Sequence, residues 1–389
     1  MEKPDHGEMT NGRKIRVLCI GRSLAGGGAE RVQIQLLEKI YSDLDISLFY
    51  LGNDNTLKSL IPSDVSVYFG TVGKKFTIKD NILSLLVLYK IAKGSDIIFG
   101  MQDTTPIYIA SILGKSLNKF SVGWIHNTWS KKKQDVSSIH GILVPLIYPM
   151  VDRFVVVSRG ALESLIREIP SLSQKSIVIN NPIDGSMIER QAQKDLIEGI
   201  RPRKRVEFLA AGRLEKVKGF DTLINAFSRF GNNDVGLSII GEGSQRKALE
   251  SLIKDLNLSE SVSLLGFKMN PYVYMKETDV FVLSSLFEGL PTVLIEAQLL
   301  GKPIISTDCD SGPREILDNG KFGSLVQTGD SESLFLAMKA AYDDPSELII
   351  KGLEGKVFAE KYNPHSIANN FLLLFKDLVE NTKSSRKVM

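Results

Sequence analysis

The chain is poor in the residues that mark secreted, metal-binding or membrane-spanning proteins. It has two cysteines in 389 residues, Cys19 and Cys309, one in each half. That excludes a disulfide framework or a thiolate metal site, and both read as reduced, buried thiols of a cytosolic protein. The four histidines, His6, His126, His140 and His365, show no metal-ligand spacing. The longest apolar runs, around Ile82–Tyr89 and Ile142–Val151, are too short or too interrupted by Pro145 and Pro149 to cross a bilayer. The opening MEKPDHGEMTNGRK lacks an apolar stretch, which excludes a secretory signal and suits a disordered leader. A formal charge of +3 gives no reason to expect a nucleic-acid partner.

What is present is length, an apolar fraction of 43% and a regular alternation. The length suits two domains of nearly equal size. Apolar runs IRVLCIG, DISLFYLG, VSVYFG, DIIFGM, FSVGWIH and RFVVVS alternate with helix-like segments such as AERVQIQLLEKIY and NILSLLVLYKIAKG. Strands that are apolar throughout belong to parallel sheets covered on both faces. The pattern restarts after the polar stretch 184–205 with VEFLAAGR, VGLSIIGEG, SVSLLGF, DVFVLSS, PIISTD and GSLVQTG. The expected architecture is α/β, with two doubly wound, Rossmann-like parallel-sheet domains facing across a cleft. Its expected parts are a leader at 1–13, domains at 14–183 and 184–365, and a final helix and tail at 366–389. Ligands in such sheets bind at the carboxyl ends of the strands.

Residues 281–301, FVLSSLFEGLPTVLIEAQLLG, carry the strongest chemical signal. An apolar strand leads to Ser284 and Ser285, a turn follows, and Pro291 sits where a first helical residue is expected. The amides of Thr292 and Val293 then lack intrahelical partners and suit a phosphate. Glu288 lies before that anion site and Glu296 one turn behind it. A phosphate flanked by two hydroxyl-seeking carboxylates matches a nucleotide sugar. A glycosidase pair fits less well: eight helical residues rise about 12 Å, wider than the roughly 5–9 Å that glycoside hydrolysis uses. A solvated Glu and a surface ion pair would give the same spacing.

Other loops add cations and glycines. The first strand runs into GRSLAGGGAERV, which lacks the Lys and Ser/Thr of a P-loop and the third glycine of a dinucleotide fingerprint. Gly26 to Gly28 form either a loop that lets backbone approach a ligand, with a helix opening at Ala29 or Glu30, or a plain turn. In GRLEKVKGFDTLI, Arg213 and Lys218 bracket a short loop where both cations can meet one diphosphate. Glu242 in GEGSQR faces the cleft rim or simply occupies a turn. His126 ends a strand at the cleft edge, and Asp308-Cys309-Asp310 reads as a loop and not a metal site.

Together, the Gly-Gly-Ala-Glu loop at 27–30, Gly-Arg-Leu with Lys218, and Glu288 and Glu296 resemble the retaining glycosyltransferase family 4 of GT-B fold, over about residues 14–380. Segments GGAERV and SGPREIL resemble bacterial lipopolysaccharide and envelope polysaccharide members. The resemblance implies a nucleotide-sugar donor, UDP-linked, held mainly by the second domain, and a saccharide or lipid-linked saccharide acceptor held mainly by the first. Arg213 and Lys218 would bind the diphosphate, Glu296 the ribose and Glu288 sugar hydroxyls. Backbone at Gly289, Leu290, Thr292 and Val293 would contact sugar and phosphate, and Gly266, Phe267 and Lys268 would lie by the base. His126 would line the reaction centre, and Gly27 and Gly28 would approach the donor phosphates. The last helix would cross back onto the first domain.

With two cations at the leaving group, no metal or other cofactor is expected. Retention would come from same-face attack, the departing phosphate taking the acceptor's proton. Lys131–Lys133, beside Trp129 and before ILVPLIYPM, suits peripheral contact with an anionic inner-membrane surface on its cytoplasmic side, or a solvated loop before a buried helix. Two alternatives stay open: a nucleotide-sugar epimerase of the same fold and a non-catalytic nucleotide-sugar sensor.

Overall fold

The computed structural model describes residues 13–25, 28–72, 78–129, 138–194, 204–231 and 234–386. Residues 1–12 of the expected leader, Gly26, Gly27 and Lys131–Lys133 lie outside that set. The chain divides into two units. The first comprises residues up to Val157, Ala161–Pro182 and Pro364 onward; the second comprises Ser158–Gly160 and Ile183–Asn363.

The first unit contains strands β1 (Ile15–Gly21), β2 (Leu44–Gly52), β3 (Ser66–Val72), β4 (Ile97–Gly100), β5 (Phe120–Ile125), β6 (Arg153–Val156) and β7 (Ser176–Val178). Its helices are α1 (Gly28–Ile40), α2 (Ile78–Gly94), α3 (Thr105–Leu117), α4 (Ser138–Ile147) and α5 (Arg159–Glu168), whose first two residues group with the second unit. The sheet is parallel throughout, in the order β3-β2-β1-β4-β5-β6-β7. All four residues of β4 are buried, as expected of a central strand covered on both faces. Helix α1 opens at Gly28, one residue before the earliest start expected.

The second unit contains helix α6 (Gly185–Ala192) and strands β8 (Val206–Ala211), β9 (Val235–Ile240), β10 (Val262–Gly266), β11 (Val280–Leu283), β12 (Ile304–Thr307) and β13 (Ser324–Val326). Its other helices are α7 (Phe220–Ser228), α8 (Arg246–Asp255), α9 (Tyr272–Glu277), α10 (Thr292–Leu299), α11 (Pro313–Ile316), α12 (Ser331–Asp343) and α13 (Ser346–Ala359). The order β10-β9-β8-β11-β12-β13 is again fully parallel. Each sheet reverses direction once, between β1 and β4 and between β8 and β11. Such a reversal opens a crevice beyond the strand ends and is where doubly wound sheets bind ligands.

Three boundaries differ from the expected ones, the smallest being Ile183, which falls in the second unit. Residues 158–160 group with the second unit because Ser158 Oγ reaches Gly289 C=O at 2.8 Å and Arg159 N–H donates to Glu315 at 2.8 Å. The last helix, α14 (Pro364–Arg386), begins two residues before the expected tail and belongs to the first unit. Phe371 packs against Phe99 and Trp124 with ring centroids 5.9 and 5.0 Å apart, and Phe375 lies 5.6 Å from Phe99.

Both tryptophans, Trp124 and Trp129, lie in the first unit, so tryptophan emission reports that unit alone. Phe371 is fully buried, and Phe371→Ala should lower the unit's stability by about 3–5 kcal/mol. The expected result is a urea transition, followed by tryptophan emission, displaced to lower denaturant. An unchanged midpoint would remove α14 from the unit's core.

Candidate active site

Arg213, Lys218, Glu288 and Glu296 lie on the loops and the helix start at the second unit's strand-order reversal. After β8, Gly212 and Arg213 lead into a 3-10 turn at Lys216–Lys218, and Gly219 starts α7. After β11, residues 284–291 form a loop that ends at α10. Lys218 Nζ donates to Glu288 Oε1 at 2.5 Å, and the two side chains are only 17% and 13% exposed. Ser285 Oγ donates to the same oxygen at 2.7 Å. Glu288 Oε2 has no hydrogen bond among the described residues.

The backbone of the two loops is joined as well. Ser284 Oγ donates to Lys218 C=O at 2.8 Å, and Leu286 N–H to Val217 C=O at 2.8 Å. Gly219 has φ +61°, and a Cβ built there would stand 2.2 Å from Ser284 C=O. No other residue tolerates both the left-handed backbone and that approach. The Lys218 side chain runs along Gly212, its Cε 3.4 Å from where a Cβ at Gly212 would be, which brings the ammonium stem beside the base of Arg213. Arg213 itself is exposed.

The far side of the loop is clamped by β12 and the segment after it. Thr307 Oγ1 donates to Ser285 C=O at 2.6 Å. The hydroxyls of Ser158 and Ser311 lie 2.8 and 2.7 Å from Gly289 C=O and 2.7 Å from each other, sharing two protons over three contacts. Leu290 is buried. Pro291 is the N-cap of α10, with φ −70° and ψ 98°, and not its first helical residue as expected. Its carbonyl accepts the first bond of the helix, from Leu294 N–H at 3.0 Å. Thr292 and Val293 then supply the first two amides of α10, ahead of the intrahelical ladder. Glu296 sits half-buried one turn further on.

Cys309 is buried in the neighbouring segment. Burial pushes its thiol up to about 12, the Glu288 carboxylate adds to the shift and Lys218 opposes it. Asp308 pairs with Arg314 and its N–H donates to Val326 C=O at 2.8 Å, a structural loop role. Among the described residues, no group of three or more His, Cys, Asp or Glu is arranged to hold a metal ion.

The other predicted residues of the second unit lie on the neighbouring turns, where Glu242 C=O accepts from Leu214 N–H at 2.9 Å and Gly266 C=O from Gly241 N–H at 2.9 Å. Gly266 ends β10, the edge strand separated from β8 by β9, and Phe267 and Lys268 follow it. Phe267 is 59% exposed, and Lys268 Nζ stands 5.5 Å from the Tyr274 ring centroid. Glu242 pairs with Arg246 at 2.6 Å. Gly28 and His126 belong to the first unit, Gly28 as the first residue of α1 and His126 directly after β5.

The first unit builds its own polar cluster at its reversal, around a residue that the sequence did not single out. Asp103, buried at the end of β4, accepts from His126 N–H at 3.2 Å and from Asn127 Nδ2 at 2.8 Å, one carboxylate oxygen each. His126 Nε2 lies 3.0 Å from Met101 C=O. The next residue, Thr104, has φ +64°, a strained value for a β-branched residue. Arg22 donates to Thr104 Oγ1 and to Asp103 C=O, and Thr104 N–H donates to Tyr148 Oη at 3.1 Å. Burial raises Tyr148 well above its ordinary value and the Asp103 charge adds to the rise, so its hydroxyl stays protonated. The signal available in the sequence was a carboxylate directly after an apolar strand, in IIFGMQD.

Two fully parallel, doubly wound units are the architecture of the GT-B fold. The chain belongs to the glycosyltransferases of group 1: the family model "Glycosyl transferases group 1" matches residues 191–351, which include Arg213, Lys218, Glu288 and Glu296. An N-acetylgalactosamine-N,N'-diacetylbacillosaminyl-diphospho-undecaprenol 4-alpha-N-acetylgalactosaminyltransferase of Campylobacter jejuni is 31% identical over 369 residues, 90% of this chain and 96% of that protein. The lipopolysaccharide core biosynthesis glycosyltransferase LpsE of Rhizobium meliloti is 34% identical over 138 residues, 36% of this chain and 40% of that one. HepE of Anabaena, crystallised with UDP and glucose, shares the fold with a TM-score of 0.79 at 17% identity, over 93% of this chain and 100% of that one.

Gly219 and Gly231 have nearly equal positive φ, +61° and +62°, but a Cβ at Gly231 meets nothing within 4 Å. Gly231→Ala should therefore cost only the backbone penalty, about 1 kcal/mol. Gly219→Ala should cost more, because Ser284 C=O must move, and should also lower sugar transfer by separating the two loops. Equal thermal midpoints and equal activities for the two variants would contradict this account of the loop junction.

Proposed function

We propose that the protein transfers a hexose or N-acetylhexosamine from a UDP-linked sugar to a glycan or lipid-linked saccharide in envelope polysaccharide assembly, with retention and without a metal ion. The observation that carries this reading is the Lys218–Glu288 pair at the reversal point of the second sheet. It sets a cation, an unbonded carboxylate oxygen and the first amides of α10 within one short stretch of loops. Arg213, Lys218 and those amides are assigned to the diphosphate, Glu288 Oε2 to a sugar hydroxyl and Glu296 to the ribose. Backbone from Gly289 to Val293 is assigned to sugar and phosphate, and Gly266–Lys268 to the base. In the first unit, His126, held by Asp103, is assigned to the reacting sugar.

The chemistry follows from charge. The bond between the anomeric carbon and the diphosphate breaks as the bond to the acceptor oxygen forms on the same face. The acceptor's proton leaves on the departing phosphate. Negative charge grows on the diphosphate, where Lys218 and Arg213 are already in place, so the transition state is stabilised without reorganisation. These two cations do the work that a divalent ion would otherwise supply. The Campylobacter relative is named for an α-linked product on a diphospho-undecaprenol-linked saccharide, and LpsE for lipopolysaccharide core biosynthesis; both support the acceptor class. An α-linked product from an α-linked donor is net retention. HepE was crystallised with UDP, which supports the nucleotide.

The test is a panel of nucleotide sugars incubated with the protein and a lipid-linked saccharide extract, reading nucleotide release and labelled product, with and without EDTA. The expected outcome is acceptor-dependent UDP release and an α-linked product, both insensitive to EDTA. Glu288→Gln and Lys218→Ala should each lower turnover by about 100-fold or more. The double variant Lys218→Met/Glu288→Leu removes both charges together and should recover stability lost in Lys218→Ala, without recovering turnover. Donor binding with no transfer to any acceptor would favour a sensor, and full activity in the double variant would dismiss the pair from catalysis.

A further inference from the structure

The first unit leaves one covering layer of its sheet unusually apolar on its outer side. Helices α2, α3 and α4 connect β3 to β4, β4 to β5 and β5 to β6, all in the same direction across the sheet. Right-handed crossovers in one direction lie on one face, and α3 contacts both α2 and α4. On the outer side of this layer, Leu83 and Leu86 of α2, Ile112 of α3, and Ile139, Ile142 and Leu146 of α4 are each 52–64% exposed. Their spacings, three apart on α2 and three and four apart on α4, make continuous stripes. Between α2 and α3 an apolar cavity of about 470 Å³ opens among Leu85, Tyr89, Ile109 and Leu113. A contiguous apolar surface of this kind marks an interaction site.

Charge selects the occupant. Across α2, α3 and α4 the sequence carries Lys79, Lys90, Lys93 and Lys115 against a single carboxylate, Asp80. Helix α13 of the second unit offers a contrast, since its exposed Ile350, Leu353 and Val357 are interleaved with Glu347 and Glu354. A self-associating surface gains nothing from an unbalanced lysine set, because two copies would repel each other. An anionic bilayer gains twice, from the leucine and isoleucine side chains in its interface and from the lysines at its headgroups. No helix among the described residues is long and apolar enough to cross a membrane, so the contact would be peripheral.

We propose that the α2–α3–α4 face docks the protein on an anionic phospholipid surface, with its leucine and isoleucine stripes in the headgroup boundary and Lys90, Lys93 and Lys115 against the lipid charges. This deepens the lipid-linked-acceptor reading and rests on it for its biological purpose, while the binding itself needs neither donor nor acceptor.

The experiment is cosedimentation of the full chain with phosphatidylethanolamine/phosphatidylglycerol vesicles and with phosphatidylcholine vesicles, at low and high salt. The wild type should bind the phosphatidylglycerol vesicles, more weakly at high salt, and bind phosphatidylcholine poorly. Leu86→Glu/Ile142→Glu should weaken vesicle binding by about tenfold or more while leaving circular dichroism and tryptophan emission unchanged. Val357→Glu on α13 should bind as the wild type does. A wild type that ignores both vesicles, or a Leu86→Glu/Ile142→Glu variant that binds equally well, overturns the proposal. So does a dimer seen by light scattering that the same substitutions dissociate in the absence of vesicle binding. Transfer activity in detergent separates the two readings: vesicle binding without transfer sinks the transferase assignment alone, and transfer without vesicle binding sinks the docking proposal alone.

Discussion

The Lys218–Glu288 ion pair is the constraint on which the second unit's site depends. Two long charged side chains, each less than one-fifth exposed, give up most of their water, and the cost is offset only if they stay together in good geometry. The 2.5 Å contact and the Ser285 hydroxyl meet that condition on one carboxylate oxygen. The consequence is mechanical as well as electrostatic. The turn after β8 and the loop after β11 come from segments 70 residues apart, and the pair holds them as one body. Gly219, Ser284 and Leu286 make the same junction through the backbone, so the charged groups are supported by atoms that cannot rotate away.

A second constraint is topological. A parallel sheet whose strand order reverses leaves a crevice at the reversal, and this chain builds the same order over six strands twice, the first sheet adding β7. The chemistry at the two reversals differs. In the second unit the crevice carries Lys218 and Arg213 with helical amides, a set suited to a diphosphate. In the first it carries Asp103 holding the backbone of His126 and the side chain of Asn127, with Thr104 in a strained conformation supported by Arg22 and Tyr148. Strain of that kind survives only where surrounding bonds over-determine it, and it is concentrated at working sites. The same strand order thus carries two polar clusters of different composition.

Much of this architecture was legible because strands buried on both faces must be apolar throughout. IIFG in β4 and VFVL in β11 announce themselves in that way. The three-residue β7, SIV, was not legible, since an edge strand that is only half-buried carries no such run. The grouping of Ser158–Gly160 with the second unit depends on bonds to Gly289, Ser311 and Glu315, residues far away in sequence. Pro291 differs by one position from expectation because its fixed φ fits either the cap or the first turn. The decision lies in ψ, and Gly312, where a Cβ would stand 2.4 Å from Pro291 Cδ, permits the close packing there. The junction between Lys218 and Glu288 was foreshadowed by the two motifs, but their direct contact needed the strand order. Asp103 was missed because a carboxylate after a strand gains meaning only when its partners on the next strand are known.

The most direct test of the central claim, that the joined loops of the second unit receive the donor diphosphate, is amide hydrogen exchange with and without UDP. The account predicts slowed exchange at Thr292, Val293 and the peptides spanning 212–219 and 284–291, with that slowing lost in Lys218→Ala. Slowing confined to other segments, or unchanged by Lys218→Ala, would contradict it.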